Sequence, residues 1–312
     1  MTPPRPRVSV VVPSWSGDVR GLADSLRDQT FQDFDLQVVR GVSPAARARN
    51  LGVERSTGEI VVFVDDDARL GHSRVLERMV EVLDGQPDVA VVGTSKIPPP
   101  DAGWFQRAAA RQVPRMVYPV VDTDTESNPP LTAYGFTAIT TTCCAVRRDV
   151  FAAAGGFDET LTTGEDTDFF YRVRADGGRF VIAGQTWVYH RPPASLRDLV
   201  RVSFGYGLGH ALEARKDPER GMNLLRLDKP WGKALLVLAI PAFPVALFTH
   251  LYFDPHRRPA VGFRPLKTIS TYAVVYGYAY GWFHGPPQSA GRTYRGRKPA
   301  AEPGVEVVER GR

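Results

Sequence analysis

Three consecutive carboxylates, Asp65, Asp66 and Asp67, stand at the end of five apolar residues, Ile60-Val61-Val62-Phe63-Val64. An apolar run this rich in β-branched residues predicts a strand buried on both faces, as in parallel sheets. Open α/β sheets bind ligands at the carboxyl ends of their strands. Asp65 and Asp67 are two apart and point to the same side of an extended chain. Two hard oxygen donors in that place suit a divalent cation that also holds phosphates. A polar turn is the simpler use of aspartate, but three adjacent like charges repel one another, which favours a cation among them.

A second acidic cluster, Gly164-Glu165-Asp166-Thr167-Asp168, runs into Phe169-Phe170-Tyr171-Arg172-Val173. The pattern predicts a helix with the acids in its first turn, where they complement the dipole. Asp168 and Arg172 are four apart, the spacing of an ordinary surface pair. Gly155-Gly156-Phe157-Asp158 marks a tight turn just upstream, able to aim the acids into a cleft. A carboxylate there can take a proton from a hydroxyl.

The elements that must position these clusters alternate. A strand is expected over 8–12, stopped by Pro13, then a helix over 19–29 carrying Leu22 and Leu26. A short strand over 36–39 follows, then a helix begun by Ser43-Pro44 and ending near residue 56. After the acidic strand come a helix over 73–83 and a strand over 89–93. This rhythm implies a mostly parallel, doubly wound α/β sheet. Residues 96–135, with Pro98-Pro99-Pro100, a helix over 104–111 and a polar stretch over 122–130, read as a long excursion able to form a flap over the site.

With 312 residues, 43% hydrophobic and 23% charged, the chain has the make-up of a globular enzyme. The net charge of +5 is concentrated after residue 190. There the basic residues flank apolar segments and form no patch with stacking aromatics, so nucleic-acid binding is a poor reading. Cys143 and Cys144 are adjacent, and a bridge between neighbours is strained, so both are expected as thiols in a reducing compartment. The N-terminal segment carries only five apolar residues before Pro13, too few for a signal peptide.

Four segments, in order, resemble the family 2 glycosyltransferases with the A-type nucleotide-sugar fold (GT-A). Val8-Ser9-Val10-Val11-Val12-Pro13 is similar to the opening strand of that family. Ala48-Arg49-Asn50-Leu51-Gly52, Thr57-Gly58-Glu59 and Phe63-Val64-Asp65-Asp66-Asp67 resemble the helix and strand that lead to its metal-binding aspartates. Arg147-Arg148-Asp149-Val150-Phe151 with Gly155-Gly156-Phe157-Asp158-Glu159 resembles the acceptor-side element, and Gly164-Glu165-Asp166-Thr167-Asp168 with Arg172 the acidic motif.

The resemblance implies metal-dependent transfer of a sugar from a nucleotide diphosphate to a hydroxyl. Asp65 and Asp67 would hold Mg²⁺ or Mn²⁺, with His190 as a third ligand. Pro13, Ser14, Arg47, Arg49 and Asp66 would face the donor. Asp166 would be the general base of an inverting, in-line attack, with Glu165, Asp168 and Arg172 on the acceptor side or in support. Two departures stand out. The second strand ends Val38-Val39-Arg40-Gly41 without the family's carboxylate, and Asp35 lies too early to replace it, so UDP, GDP and dTDP donors all stay open. No Gln-x-x-Arg-Trp motif lies between Asp168 and Trp231, which implies one sugar per event rather than polymer extrusion.

The chain divides into a catalytic domain over 1–215, a helical region over 216–286, and a tail over 287–312 expected to be disordered. Residues 234–253 carry no formal charge and are long enough to cross a bilayer, although Pro241 and Pro244 would kink them. Residues 268–283 are rich in aromatic and small residues. Basic residues on both flanks of the first segment conflict with a single crossing, so a hairpin lying in the cytoplasmic leaflet is expected, with a soluble helical hairpin packed on the catalytic domain as the other reading. The partners implied are a nucleotide sugar, a lipid-linked or cell-envelope glycan acceptor, and the cytoplasmic face of the cell membrane. Two other classes stay open: a nucleotidyltransferase, disfavoured because Pro13-Ser14-Trp15-Ser16-Gly17-Asp18 lacks a basic, glycine-rich loop, and an inactive membrane-binding scaffold, disfavoured by Asp65, Asp67 and Asp166.

Overall fold

The computed structural model describes residues 5–113, 118–129, 131, 138–217, 226–249, 251–253, 259–261, 264–285 and 303–308. The chain begins β1 (Val8–Ser14), α1 (Arg20–Arg27), β2 (Phe34–Arg40), α2 (Ala45–Arg55), β3 (Ile60–Val64), β4 (Arg69–Leu70), α3 (Val75–Gly85), β5 (Val89–Ile97). It continues α4 (Trp104–Gln112), β6 (Thr125–Glu126), β7 (Cys143–Arg147), α5 (Arg148–Ala153), α6 (Glu165–Ala175), β8 (Arg179–Tyr189), α7 (Leu196–Lys216). The remaining elements are α8 (Pro230–Thr249), β9 (Leu251–Phe253), β10 (Pro259–Val261), α9 (Pro265–His284) and β11 (Gly304–Val308).

One sheet runs in the order β11-β2-β1-β3-β7-β5-β8-β4, with β6 on β8. Period-two alternation divides its core. Val10, Val12 and Val62 pack with Leu22 and Leu26 of α1 and Met79 and Leu83 of α3. Val11, Val61 and Phe63 pack on the other face with Ala46 and Val53 of α2 and the rings of Phe151, Phe157 and Phe169. Successive crossovers through α1 and α2 thus lie on opposite faces, with β1 between β2 and β3. The ends of these strands form the crevice where such sheets bind ligands.

The α/β reading holds, but the sheet is mixed rather than mostly parallel. β7 enters antiparallel between β3 and β5, and β4, β6 and β11 are also antiparallel to their neighbours. Nor does Pro13 stop β1, which continues to Ser14. Proline lacks only its own N–H, and the ladder to β3 already ends at Val11 while that to β2 goes on. The described part of the excursion over 96–135 is no free flap. Tyr118 bridges Lys96, and Val121, Thr125 and Ser127 bond to β8 or the residues beside it. Its polar stretch is fixed by Asn128 Oδ1, which accepts from Phe180 N at 2.9 Å.

At the C-terminal side α8 and α9 form, joined through the β9–β10 ribbon, but the main neighbour of α9 is α7. These two helices meet backbone to backbone: a Cβ at Gly207 would lie 1.9 Å from Val274 O, and one at Gly277 2.1 Å from Phe204 O. Ser203 Oγ and Ser270 Oγ share a hydrogen bond of 2.7 Å within the seam. No helix among the described residues is long and apolar enough to cross a membrane. The tail is not wholly without structure, as β11 pairs antiparallel with β2 from Gly304 opposite Arg40 to Val308 opposite Leu36. The rest of the tail lies outside the described residues, as do residues 254–258 of the flank after the first apolar segment.

Candidate active site

β3 delivers the first acidic cluster at the sheet's carboxyl edge, where Asp65 N donates to Thr142 O at 3.2 Å. The three aspartates then part. Asp65 Oδ1 accepts from Arg49 Nη2 at 2.9 Å. Asp66 Oδ2 accepts from Ser14 Oγ at 2.8 Å, which ties the ends of β1 and β3 together. Asp67 faces His190, whose Nε2 is 3.5 Å from its Oδ1. The strand β4, which starts two residues after Asp67, pairs Arg69 with Tyr189 and so brings His190 alongside. One donor atom from each of Asp65, Asp67 and His190 lies within 4.8 Å of the others. Two carboxylates and an imidazole, all partly accessible, form a hard O,O,N donor set suited to Mg²⁺ or Mn²⁺.

The second cluster stands opposite. Gly164, at φ +84°, makes the left-handed entry to α6 that a side chain would resist. Glu165 turns inward, and its Oε1 accepts from Arg49 Nη1 at 2.6 Å. Arg49 therefore joins the acid at the end of β3 to the acid that opens α6. It sits 4% exposed on α2 with its guanidinium 5.7 Å from the centre of the Phe157 ring. Burial alone would lower the pKa of Arg49, but the charges of Glu165, Asp65 and Asp166 outweigh it and hold the group firmly protonated. Burial is also the largest influence on Glu165. It raises that carboxyl's pKa, with Asp166 adding to the rise and Arg49 opposing it. Asp166 stays partly exposed, with Oδ1 accepting from Thr167 N at 2.8 Å.

The supporting residues sort by contact. Asp168 is buried rather than on the surface, and Arg172 donates to its Oδ2 at 2.7 and 3.0 Å. Arg172 also donates to Gly156 O and Ala154 O, holding the turn in which Gly155 and Gly156 take positive φ. Asn50 grips the same turn from α2, accepting from Phe157 N and donating to Phe157 O, each at 2.9 Å. Asp168 and Arg172 thus hold the loop rather than reach the cleft. Arg47 is exposed, and its position two residues from buried Arg49 places it on the other side of α2. Pro13 serves the sheet, and Ser14 serves the cleft through Asp66. Asp35 faces Ser9 near the start of β2, far from the carboxyl edge. Sequence reasoning missed an open cleft of about 270 Å³ beside Asp66 and Asp67, lined also by Asp18, Arg20, Arg69 and Arg191. These residues come from three separate segments, after β1, after β3 and after β8, and share no motif.

Residues 2–204 match the family model described as "Glycosyltransferase like family 2". The chain belongs to glycosyltransferase family 2. Several of its relatives are named for polysaccharide biosynthesis. It is 30% identical over 219 residues to the succinoglycan biosynthesis protein ExoM of Rhizobium meliloti (strain 1021), a match that covers 67% of this chain and 65% of that protein. It is 26% identical over 180 residues to the amylovoran biosynthesis glycosyltransferase AmsB of Erwinia amylovora, covering 56% and 57%. It spans only 19% of the O-antigen biosynthesis protein RfbC of Myxococcus xanthus, at 24% identity over 243 residues. The fold resembles that of a mannosyltransferase from Pyrobaculum calidifontis, solved with GDP-Man and Mn²⁺: TM-score 0.54, 18% identity, 91% of this chain and 89% of that one.

In this glycosyltransferase, then, Asp65, Asp67 and His190 gather at the end of β3, Asp66 is tied to Ser14, and Arg49 links Asp65 to Glu165, the neighbour of Asp166. Cys143 and Cys144 lie beside that end of β3, on β7, buried and free as thiols. Burial is the main cause that pushes the Cys143 thiol up to about 12, and it raises Cys144 as well.

Proposed function

We propose that the enzyme moves one sugar from a nucleotide diphosphate donor to a hydroxyl of a lipid-linked or cell-envelope glycan, with inversion at the anomeric carbon. The observation that carries this reading is the arrangement around Arg49: the Asp65, Asp67 and His190 set on one side, Glu165 and Asp166 on the other. Asp65, Asp67 and His190 would hold Mg²⁺ or Mn²⁺, which supplies charge to offset that developing on the leaving diphosphate. Asp166, the more accessible acid, takes the proton of the acceptor hydroxyl. The acceptor oxygen forms its bond to the anomeric carbon as the bond to the diphosphate oxygen breaks, and the electron pair leaves with the nucleotide. Glu165 is engaged with Arg49, which leaves the base role to Asp166. The test is a panel of nucleotide sugars with Mn²⁺, read by nucleotide release and by the anomeric configuration of the product. Release from no donor, or a retained configuration, refutes the reading.

We infer too that the C-terminal helices bring the catalytic domain to the cytoplasmic face of the cell membrane. On α8, Trp231, Leu235, Val237 and Leu238 are all at least half exposed, as are Tyr276 and Phe283 on α9. Such a surface suits the boundary between headgroups and acyl chains. Sedimentation with vesicles containing anionic lipid checks it. Full-length protein that stays monodisperse in the supernatant without detergent counts against it.

A further inference from the structure

The helix α9 carries aromatic side chains at every fourth position: Tyr272, Tyr276, Tyr280 and His284. Residues four apart share one face of a helix, so these form a single stripe, and Tyr276 to His284 alone spans about 12 Å. Tyr276 is 68% exposed, Tyr280 37%, and His284 is exposed as well. The rings are held rather than loose. Phe204 of α7 stands between two of them, its centre 5.8 Å from that of Tyr276 and 5.7 Å from that of Tyr280. The rings of Tyr280 and His284 stack, 4.6 Å apart at an angle of 18°.

The stripe runs beside the approach to the acids of α6. α7 and α9 run in the same direction, with Ser203 bonded to Ser270 toward one end and Arg215 to Gly281 O toward the other. The stretch of α7 between them is what the entry to α6 leans on: a Cβ at Gly164 would lie 3.9 Å from Gly209 C. Just beyond it, Lys216 pairs with Asp158 of the acceptor-side turn. Asp166 is two residues past Gly164. On the other flank of α9, Tyr278 and Trp282 pack with Leu227 and Leu236, so the open stripe is the flank beside Phe204.

Resting on the glycan-acceptor reading above, we propose that the Tyr276–Tyr280–His284 stripe is a platform for the acceptor's sugar chain, which lies along α9 and points its terminal hydroxyl toward Asp166. A pyranose has two chemical surfaces. Its ring face is a set of C–H groups, which rest on the negative face of an aromatic ring. Its edge is a set of hydroxyls, each able to donate and to accept. Tyrosine and histidine answer both, with a ring for the face and an O–H or ring nitrogen for the edge. Acyl chains would use the rings alone and leave the polar ends idle, and the side chains that match acyl chains, Leu235, Val237 and Leu238, stand on α8. Repetition favours a polymer: the helix repeats its rings at a fixed step of about 6 Å, as a glycan repeats its units. Tyrosine and neutral histidine carry no charge, so the chain that fits is a neutral glycan.

The test is an array of neutral glucan and galactan oligosaccharides in α and β linkage, from single sugars to hexasaccharides, probed with labelled full-length protein. Wild type should bind at least one linkage class, and hold its tetrasaccharide at least about ten-fold more tightly than the single sugar, because each further ring adds a contact. Tyr276→Ala and Tyr280→Ala should each weaken that binding about ten-fold, while Tyr280→Phe, which keeps the ring, should lose less. Tyr276→Ala should keep the melting temperature and the Mn²⁺-dependent nucleotide binding of wild type, since Tyr276 is open to solvent and apart from the metal-binding acids. The same variants are then sedimented with vesicles containing anionic lipid. Lost vesicle binding with unchanged glycan binding gives the stripe to the lipid surface and overturns the proposal. So does a wild type that holds no glycan on the array, or holds single sugars as tightly as long chains. Absence of nucleotide release from every donor refutes the glycosyl-transfer reading instead, whatever the array shows.

Discussion

Arg49 and Glu165 form a buried ion pair, with Nη1 2.6 Å from Oε1 and the arginine side chain 5% exposed. The same guanidinium holds Asp65 through its other terminal nitrogen. Removing one partner of a buried pair leaves an uncompensated charge and typically costs about 3–5 kcal/mol. Arg49→Met should lose stability on that scale, read as a shift of the urea midpoint. The loss should shrink with acid. The carboxyl of Glu165 already has a raised pKa in the folded state, and without Arg49 it rises further. A group with a raised folded-state pKa gives its full stabilisation below its unfolded value and loses it as pH climbs through the folded one. The variant should therefore gain on wild type as pH falls from neutral toward the ordinary carboxylate range. A constant difference across that window contradicts the assignment.

Asp67→Asn removes a hard ligand but no core volume. It should abolish Mn²⁺-dependent nucleotide binding and transfer while leaving the melting temperature close to that of wild type. Normal transfer with unchanged metal dependence refutes the metal role.

Asp166→Asn should reduce turnover by about two to four orders of magnitude, the range for losing a general base. Donor affinity should survive, because this acid serves the acceptor. Parallel loss of donor binding and rate, measured by titration beside kinetics, would move Asp166 out of the base role.

Arg172→Met should act on stability first. It strips the buried carboxylate of Asp168 and frees the Gly155–Gly156 turn, at a cost of about 3 kcal/mol. The variant should recover much of its turnover at low temperature, where the fold survives. A turnover defect that persists in fully folded protein would place Arg172 in the cleft.

The thiol of Cys143, pushed up to about 12 mainly by burial, should resist iodoacetamide at about pH 8 in native protein and react once urea unfolds it. Thiolate forms only above the pKa, so labelling should track unfolding as measured by circular dichroism. Fast labelling of the native state contradicts the burial of β7.

The parts of this site that could be read from sequence are those where a local pattern and a chemical need coincide. An apolar run meeting Asp65 and Asp67, and acids opening a helix before Phe169 and Phe170, carry their own structure. The role of Arg49 was hidden because position in a helix says nothing of which acids, distant in sequence, will surround it. The pairing of β7 was hidden because a strand of Cys143, Cys144, Ala145 and Val146 shows no alternation, and its antiparallel insertion between β3 and β5 depends on the neighbours. The tail strand was hidden by composition: proline, glycine and arginine around Val305 and Val307 read as unstructured, and the free edge of β2 decides otherwise.

The glycine seam between α7 and α9 has a second side. Gly209 of α7 presses on the other wall, where a Cβ would lie 2.2 Å from Thr163 Oγ1, and Thr163 Oγ1 donates to Gly205 O at 3.1 Å. Thr163 is the residue before Gly164, the hinge into Glu165 and Asp166. From α9 to the loop that opens α6, then, contact passes through glycines of α7, against the backbone of Val274 on one side and the backbone and short hydroxyl of Thr163 on the other. A side chain at Gly207 or Gly209 would push α9 or the Thr163 loop away from α7, so these two glycines set how closely the C-terminal helix and the entry to α6 stand together.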